Sequence, residues 1–129
     1  MRLTKSTDAA IRILIFLTKN EGVTITRSIS SELGIPYHNL TKIIQKLAKK
    51  QLLQTKKSKY GGIQLLKPAN KINLREVVDL IDGPTILSEC QEEPTVCVES
   101  SKCKLKVSFN DLQSKINDFL ENIKIKDML

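Results

Sequence analysis

The sequence is short of what many functional classes need. In 129 residues it has one histidine, three cysteines, five glycines and four prolines, with no internal repeat or low-complexity stretch. One histidine, His38, and no glycine-rich phosphate loop leave no set of acid, base and nucleophile from which to build an enzyme. The apolar stretch Ile11 to Leu17 is far too short to span a membrane. Asp8 precedes it and no small-residue cleavage site follows, so it does not read as a signal peptide. The expected location is the cytoplasm, where three cysteines read as thiols or metal ligands rather than a disulfide framework. They lack the close pairing, or the neighbouring histidines, that zinc sites show. The length suits one ordinary domain with a small appendage.

Charge is also missing locally. The net charge is +7, and no acidic residue falls between Glu32 and Glu76, where Lys42, Lys46, Lys49, Lys50, Lys56, Lys57, Lys59, Lys67, Lys71 and Arg75 all stand. From Glu76 to Glu99 the sign reverses, with Glu76, Asp79, Asp82, Glu89, Glu92, Glu93 and Glu99 and no basic residue. The first block suits a polyanion; the second carries Cys90 and Cys97.

Apolar spacing places the elements. Ser6 to Lys19 predicts a helix capped by Ser6 or Thr7, with Ala10, Ile13, Leu14 and Leu17 inward. Thr26 to Leu33 predicts a second, broken at Gly34. A third opens at Pro36 with Leu40, Ile43, Ile44 and Leu47 inward. Gln51 to Lys57 and Ile63 to Lys67 predict two strands joined through Gly61-Gly62, a wing. Asn73 caps a fourth helix, with Glu76 completing a variant capping box. After Gly83-Pro84 the cysteine segment predicts a loop with a short helical turn. Leu105, Phe109, Leu112, Ile116, Phe119 and Ile123 then form a heptad seam on a long helix. Such a seam can cover its own core, but three small helices and a wing would leave part of it exposed, so a homodimer is expected.

The expected fold is mainly α with a small β-wing: a winged helix-turn-helix over residues 1–83, a cysteine-containing loop over 84–104, and a dimerisation helix and tail over 105–129. The helix from Pro36 is the recognition helix, placed in the major groove of a palindromic duplex. Its outer face presents His38, Asn39, Thr41, Lys42, Gln45, Lys46 and Lys49. The amino-terminal members read base edges, and Lys46 and Lys49 meet phosphates. Lys56, Lys57, Lys59 and Tyr60 of the wing suit an adjacent groove or backbone. Any single lysine here can serve only to solvate a surface, but that accounts poorly for ten basic residues without one acid.

Cys90, Cys97 and Cys103 are separated by six and five residues. Soft, anionic thiolates gathered on one loop suit an iron-sulfur cluster, which needs a fourth ligand as well. Clustered thiols also permit a metal-free disulfide switch.

Met1-Arg2-Leu3-Thr4, His38 to Ile44, Tyr60-Gly61-Gly62-Ile63 to Lys67-Pro68-Ala69, and Ile72 to Gly83 followed by three cysteines resemble the NsrR/IscR-type family of winged-helix iron-sulfur transcription regulators. The resemblance covers nearly the whole chain and lies nearest the nitric-oxide-sensing NsrR branch. It implies a repressor whose cluster senses nitric oxide, iron or redox state, and it places Asp8, from the other subunit, as fourth ligand of a 4Fe-4S cluster. The 2Fe-2S alternative of the IscR branch uses a histidine soon after the third cysteine, where this chain has Lys104, Leu105, Lys106 and Val107. The family spacing is usually five and five, against six and five here. Without the resemblance, Asp8 reads as a carboxylate stabilising a helix start.

Overall fold

The computed structural model describes residues 2–57, 61–93 and 102–129. Helix α1 (Lys5–Lys19) buries Ala10, Ile13, Leu14 and Leu17, the stripe predicted by a 3.6-residue period. Its cap is neither Ser6 nor Thr7 but Thr4, whose hydroxyl accepts from the Thr7 amide at 3.2 Å. Three hydroxyl residues within four positions were all competent to cap. Thr4 is selected because Asp82, distant in sequence, accepts hydrogen bonds from both its amide and its hydroxyl.

A two-residue strand, β1 (Thr24–Ile25), runs directly into α2 (Thr26–Leu33). Gly34 takes the left-handed conformation at φ 64° that ends α2. The turn is closed by Ser30 Oγ donating to the Ile35 carbonyl at 2.7 Å and by Arg12 of α1 donating to the Leu33 carbonyl at 2.8 Å. Helix α3 (Tyr37–Lys49) follows, with Pro36 at its cap rather than inside its first turn, and buries Leu40, Ile43, Ile44 and Leu47. It stops at Gln51, which adopts φ 60°. The Leu52 amide bonds back to the Leu47 carbonyl and the Gln51 amide to that of Ala48, a Schellman ending with a glutamine where glycine is usual.

Strands β2 (Leu53–Lys56) and β3 (Gly62–Leu65) are the expected wing; β2 is shorter at both ends than the sequence pattern, and β3 begins one residue earlier, at Gly62, and stops two earlier, at Leu65. The sheet has a third strand, in the antiparallel order β1-β3-β2, with Thr24 opposite Ile63 and Thr55 opposite Ile63 on the other side. The two glycines have different tasks. Gly61 has φ 68° and makes the turn conformation. Gly62 lies in β3, where a Cβ would stand 2.5 Å from Val23 Cγ1, so it permits the close approach of the chain entering β1.

A 3-10 turn at Ala69–Lys71 leads to α4 (Leu74–Asp82). Asn73 caps α4, accepting from the Glu76 amide at 2.8 Å. The Glu76 carboxylate does not return to close a capping box; it pairs with Lys67 at 2.8 Å and ties the end of the wing to α4. Helix α5 (Glu89–Glu92) is a single turn, and α6 (Lys104–Asn122) is the longest helix. Ile123 ends α6 rather than continuing its seam. The chain then returns to the bundle: the Ile125 amide bonds to the Ile72 carbonyl, the Leu74 amide to the Ile123 carbonyl, and Ile125 is fully buried. One core therefore takes side chains from α1, α2, α3, β2, β3, α4 and the final 3-10 turn, Ile125–Met128. Among the described residues no helix is long and apolar enough to cross a membrane.

Candidate nucleic-acid interface and cysteine segment

Burying Leu40, Ile43, Ile44 and Leu47 turns the opposite side of α3 outward. His38, Asn39, Lys42, Gln45, Lys46 and Lys49 are exposed there, and Thr41 is half-buried. The Thr41 hydroxyl donates to the His38 carbonyl at 2.8 Å, which leaves its oxygen free to accept. Lys56 at the end of β2 and Lys57 beyond it are exposed on the wing. Lys59 and Tyr60 lie outside the described residues.

Asp8 projects from the first turn of α1, its side chain 70% exposed and only loosely paired with Arg12 at 4.0 Å. It lines a cleft of about 520 Å³ whose other walls include Lys5, Arg12, Pro36 and Asn39. The expected fourth ligand and a residue of α3 expected to read bases thus line the same space.

The cysteine segment is held at both ends. Cys90 lies in α5, half-buried, its Sγ 3.0 Å from the Ser88 hydroxyl. Gln91 accepts from the Leu87 and Ser88 amides and donates to Asn110 Oδ1 at 3.0 Å, clipping α5 to α6. Cys103 caps α6, also half-buried and also a free thiol. Cys97 lies outside the described residues. Among the described residues no three histidine, cysteine, aspartate or glutamate side chains come together to hold a metal, so Asp8 does not join Cys90 and Cys103 within one chain.

Helix α6 buries none of its residues. Along the predicted seam Leu105, Leu112 and Phe119 are exposed, by 58%, 48% and 68%, while Phe109, Ile116 and Ile123 are half-buried. Ile116, Phe119 and Leu120 join Leu3 and Thr85 around an apolar hollow of about 310 Å³.

Two features escaped the sequence pattern. Asp82, the last residue of α4, is bound to Thr4 at the head of α1. Burial alone would raise its carboxyl. The Thr4 hydrogen bonds, the Thr7 hydroxyl (close, but short of full hydrogen-bond geometry) and the charge of Lys46 outweigh burial and hold it below the ordinary range. The other is Arg27 of α2, whose guanidinium stacks on Tyr37 of α3. Arg27 lies just before the acid-free block, so a census bounded by Glu32 passes over it.

The Rrf2 family model, described as an iron-dependent transcriptional regulator, matches residues 3–129. The HTH-type transcriptional regulator NsrR of Bacillus licheniformis is 33% identical over 132 residues, covering 100% of this chain and 92% of that protein. NsrR of Shouchella clausii is 30% identical, covering 100% and 89%. Among solved structures, the oxidized form of CymR from Staphylococcus aureus superposes with a TM-score of 0.75 at 23% identity, covering 98% of this chain and 94% of that one. IscR of T. potens gives 0.77 at 16% identity, covering 99% and 85%. These two share the fold, and the match over 3–129 decides the family: the chain belongs to the Rrf2 family and is a DNA-binding transcriptional regulator, not an enzyme.

Proposed function

We propose that this regulator is a homodimeric repressor whose DNA affinity is set by a 4Fe-4S cluster on Cys90, Cys97 and Cys103 of one subunit and Asp8 of the other. The observation that carries this reading is the cysteine segment. Its two described thiols are free and half-buried, and they stand at the ends of a segment clipped to α6 through Gln91 and Asn110. Three thiolates exclude a hard cation, and their spacing of six and five residues lacks the close pairing of zinc sites, so the set fits iron in a cluster better than either. When bound, such a cluster supplies iron that reacts with nitric oxide and responds to redox state. Cys90, Cys97 and Cys103 would hold three corners. Asp8, exposed and weakly paired, is free to be the fourth, and as the harder ligand it makes the most labile corner.

Asp8 shares its cleft with Asn39, so holding Asp8 to a partner's cysteine segment restrains α1 beside α3 and fixes the separation of the two recognition helices. Moving a population from nearly all to nearly none DNA-bound takes about 5.5 kcal/mol between the two dimer states. Structural metal sites contribute on the order of 10 kcal/mol, enough to supply that difference. His38, Asn39, Thr41, Lys42 and Gln45 read the major groove of a palindromic operator. Lys46, Lys56, Lys57, Lys59 and Tyr60 meet its backbone or an adjacent groove. Leu105, Phe109, Leu112, Ile116, Phe119 and Ile123 are the residues offered to a second copy, and the cytoplasm is the expected location.

The deciding experiment is an iron and acid-labile sulfide assay with a visible spectrum on protein isolated without oxygen. The expected result is about four irons and four sulfides per subunit. Protein that stays free of iron and sulfide after anaerobic reconstitution, yet forms a reversible disulfide between Cys90 and Cys97 or Cys103, would replace the cluster with a thiol switch. Asp8→Ala is expected to keep the fold but to change the visible spectrum and to uncouple operator affinity from nitric oxide. Unchanged spectrum, response and affinity would return Asp8 to the plain role of a helix-start carboxylate.

A further inference from the structure

Arg27 and Tyr37 lie outside every residue set assigned above. Arg27 is in the first turn of α2 and Tyr37 is the first residue of α3, so the pair bridges the two helices of the helix-turn-helix at their amino ends. The guanidinium carbon stands 4.8 Å from the ring centroid, and this is the cation-π pair among the described residues. Arg27 is exposed and Tyr37 is 43% exposed. Among the described residues no carboxylate is within ion-pair distance of Arg27, and neither helix carries an acid in its first turn.

An exposed stacking contact returns little in water, while ordering an arginine side chain forfeits much of its rotamer freedom. The contact therefore does little for folding. What it does is geometric. A ring against one side of the guanidinium takes up none of its N–H donors in a hydrogen bond or ion pair, so they stay available for two phosphate oxygens at once. The ring that orients it directly precedes His38 and sits one helical turn before Thr41, on the end of α3 that enters the groove. A fixed, unpaired fork at that place fits an oxygen anion of the DNA backbone and not a base edge, which the α3 side chains further along can reach.

We infer that Arg27, held in place by Tyr37, is a phosphate-binding residue that clamps the DNA backbone beside the amino end of α3. This rests on α3 being the helix that enters the groove. The test uses full-length, anaerobically isolated protein, a duplex selected by the wild type from random sequence, and an unselected duplex of the same length, with Kd measured across a range of salt concentrations. Arg27→Ala is expected to weaken binding of the dimer to both duplexes alike, by on the order of tenfold for each of its two Arg27 contacts, and to lower the slope of log affinity against log salt by about 1.8, roughly 0.9 for each contact. Tyr37→Leu keeps the charge, so affinity falls by less while the slope is retained. Tyr37→Phe keeps the ring and stays near wild type. Melting temperatures confirm that the variants are folded. Wild-type affinity and slope in Arg27→Ala, in an experiment where Lys42→Ala weakens binding, overturn the inference and leave the recognition-helix reading intact. If Lys42→Ala is silent too, that reading fails and the inference fails with it. A loss confined to the selected duplex would mean that Arg27 reads a base, which also overturns the phosphate assignment.

Discussion

The two halves of this molecule differ in how completely they bury themselves. The bundle of α1 to α4, the small sheet and the final 3-10 turn holds all the fully buried side chains found among the described residues, Ile13, Leu14, Leu40, Leu47, Ile72 and Ile125 among them. Helix α6, nineteen residues long, buries none. It is the less apolar helix, with seven apolar residues in nineteen against eight in fifteen for α1, yet six of its seven are large enough to have filled a core face, so composition alone is not the cause. The bundle is closed over α1 by α3, α4 and the returning tail, whereas among the described residues α6 meets α4 and α5 alone in any number. An apolar seam left uncovered by the described residues is what the proposed pairing with a second copy would bury.

The strongest way to break this contrast is to make the seam unable to pair. Leu112→Asp with Ile116→Asp places two carboxylates where a second copy would bury them unpaired, at a penalty of several kcal/mol each. The expected outcome is a folded monomer by sedimentation equilibrium, with helix content near wild type because the bundle does not use α6 for its core. A dimer that survives the double change would move the interface elsewhere.

A subtler cut compares two side chains close in sequence. Ile125 lies just beyond α6 but is fully buried in the bundle, and Phe119 lies on α6 and is mostly exposed. Ile125→Ala is expected to cost about 2–5 kcal/mol of fold stability. Phe119→Ala is expected to change the monomer by roughly 0.5 kcal/mol or less and to act on dimer dissociation. Urea unfolding at several protein concentrations separates the two, since only the second effect depends on concentration. Equal, concentration-independent losses would show that α6 and the tail are one structural unit.

What could be read from the chain follows from the range of the forces involved. The stripes of α1 and α3 are set by neighbours three and four residues apart, and each lies where its spacing puts it; the spacing of α6 carries on to Ile123, but the helix stops there and the chain turns back to the bundle. Strand β1 is too short to have a period, and it exists because β3 passes beside it with Gly62 at the contact. The burial of Ile125 and the capping of α1 by Thr4 depend on Ile72 and Asp82, distant partners that no local window contains. Glu76 had the right spacing for a capping box and was drawn to Lys67 instead. The site divides in the same way. The outward set on α3 came from its periodicity, whereas the adjacency of Asp8 to Asn39 and the stacking of Arg27 on Tyr37 appear only once α1, α2 and α3 are packed.

The bundle also carries a small, local strain that tests how tightly it is determined. Gln51 holds φ 60°, a conformation that costs an L-residue about 1–2 kcal/mol. Glycine removes that cost but has more freedom to lose on folding, about 0.5–1 kcal/mol. Gln51→Gly is therefore expected to stabilise the protein by roughly 0.5 kcal/mol, seen as a higher urea midpoint with an unchanged m-value. Gly34→Ala is the reverse case, a side chain added at φ 64°, and should destabilise by about 1 kcal/mol. A stabilising Gly34→Ala would mean that the turn before α3 is not held in the left-handed conformation.

The smallest expected effect sits at Asp82, where the packed bundle hands over to the cysteine segment. Its carboxyl is held below the ordinary range: burial opposes this, and the Thr4 hydrogen bonds, the Thr7 hydroxyl and Lys46 outweigh burial. A carboxyl with a folded pKa below its unfolded value binds fewer protons when folded. Its contribution to stability is then fully present above the unfolded value, near 3.8, and is lost as the pH falls through the lowered folded pKa. Stability should rise with pH across that acid window and gain nothing more from this group toward neutrality. Because Asp82 is exposed, solvent screening keeps the contribution small and salt should reduce the part owed to Lys46. Asp82→Asn removes the titration while keeping an acceptor for Thr4, so the urea midpoint should vary less between about pH 2 and 4 than in the wild type. Thr4→Val should flatten the same slope, and Thr4→Ser, which keeps the hydroxyl, should restore it. If Asp82→Asn retains the full acid slope of the wild type, the link between the end of α4 and the head of α1 carries no electrostatic weight, and the start of the cysteine segment is positioned by the packing of α4, in which Val77 and Val78 are buried and Leu74, Leu80 and Ile81 partly so.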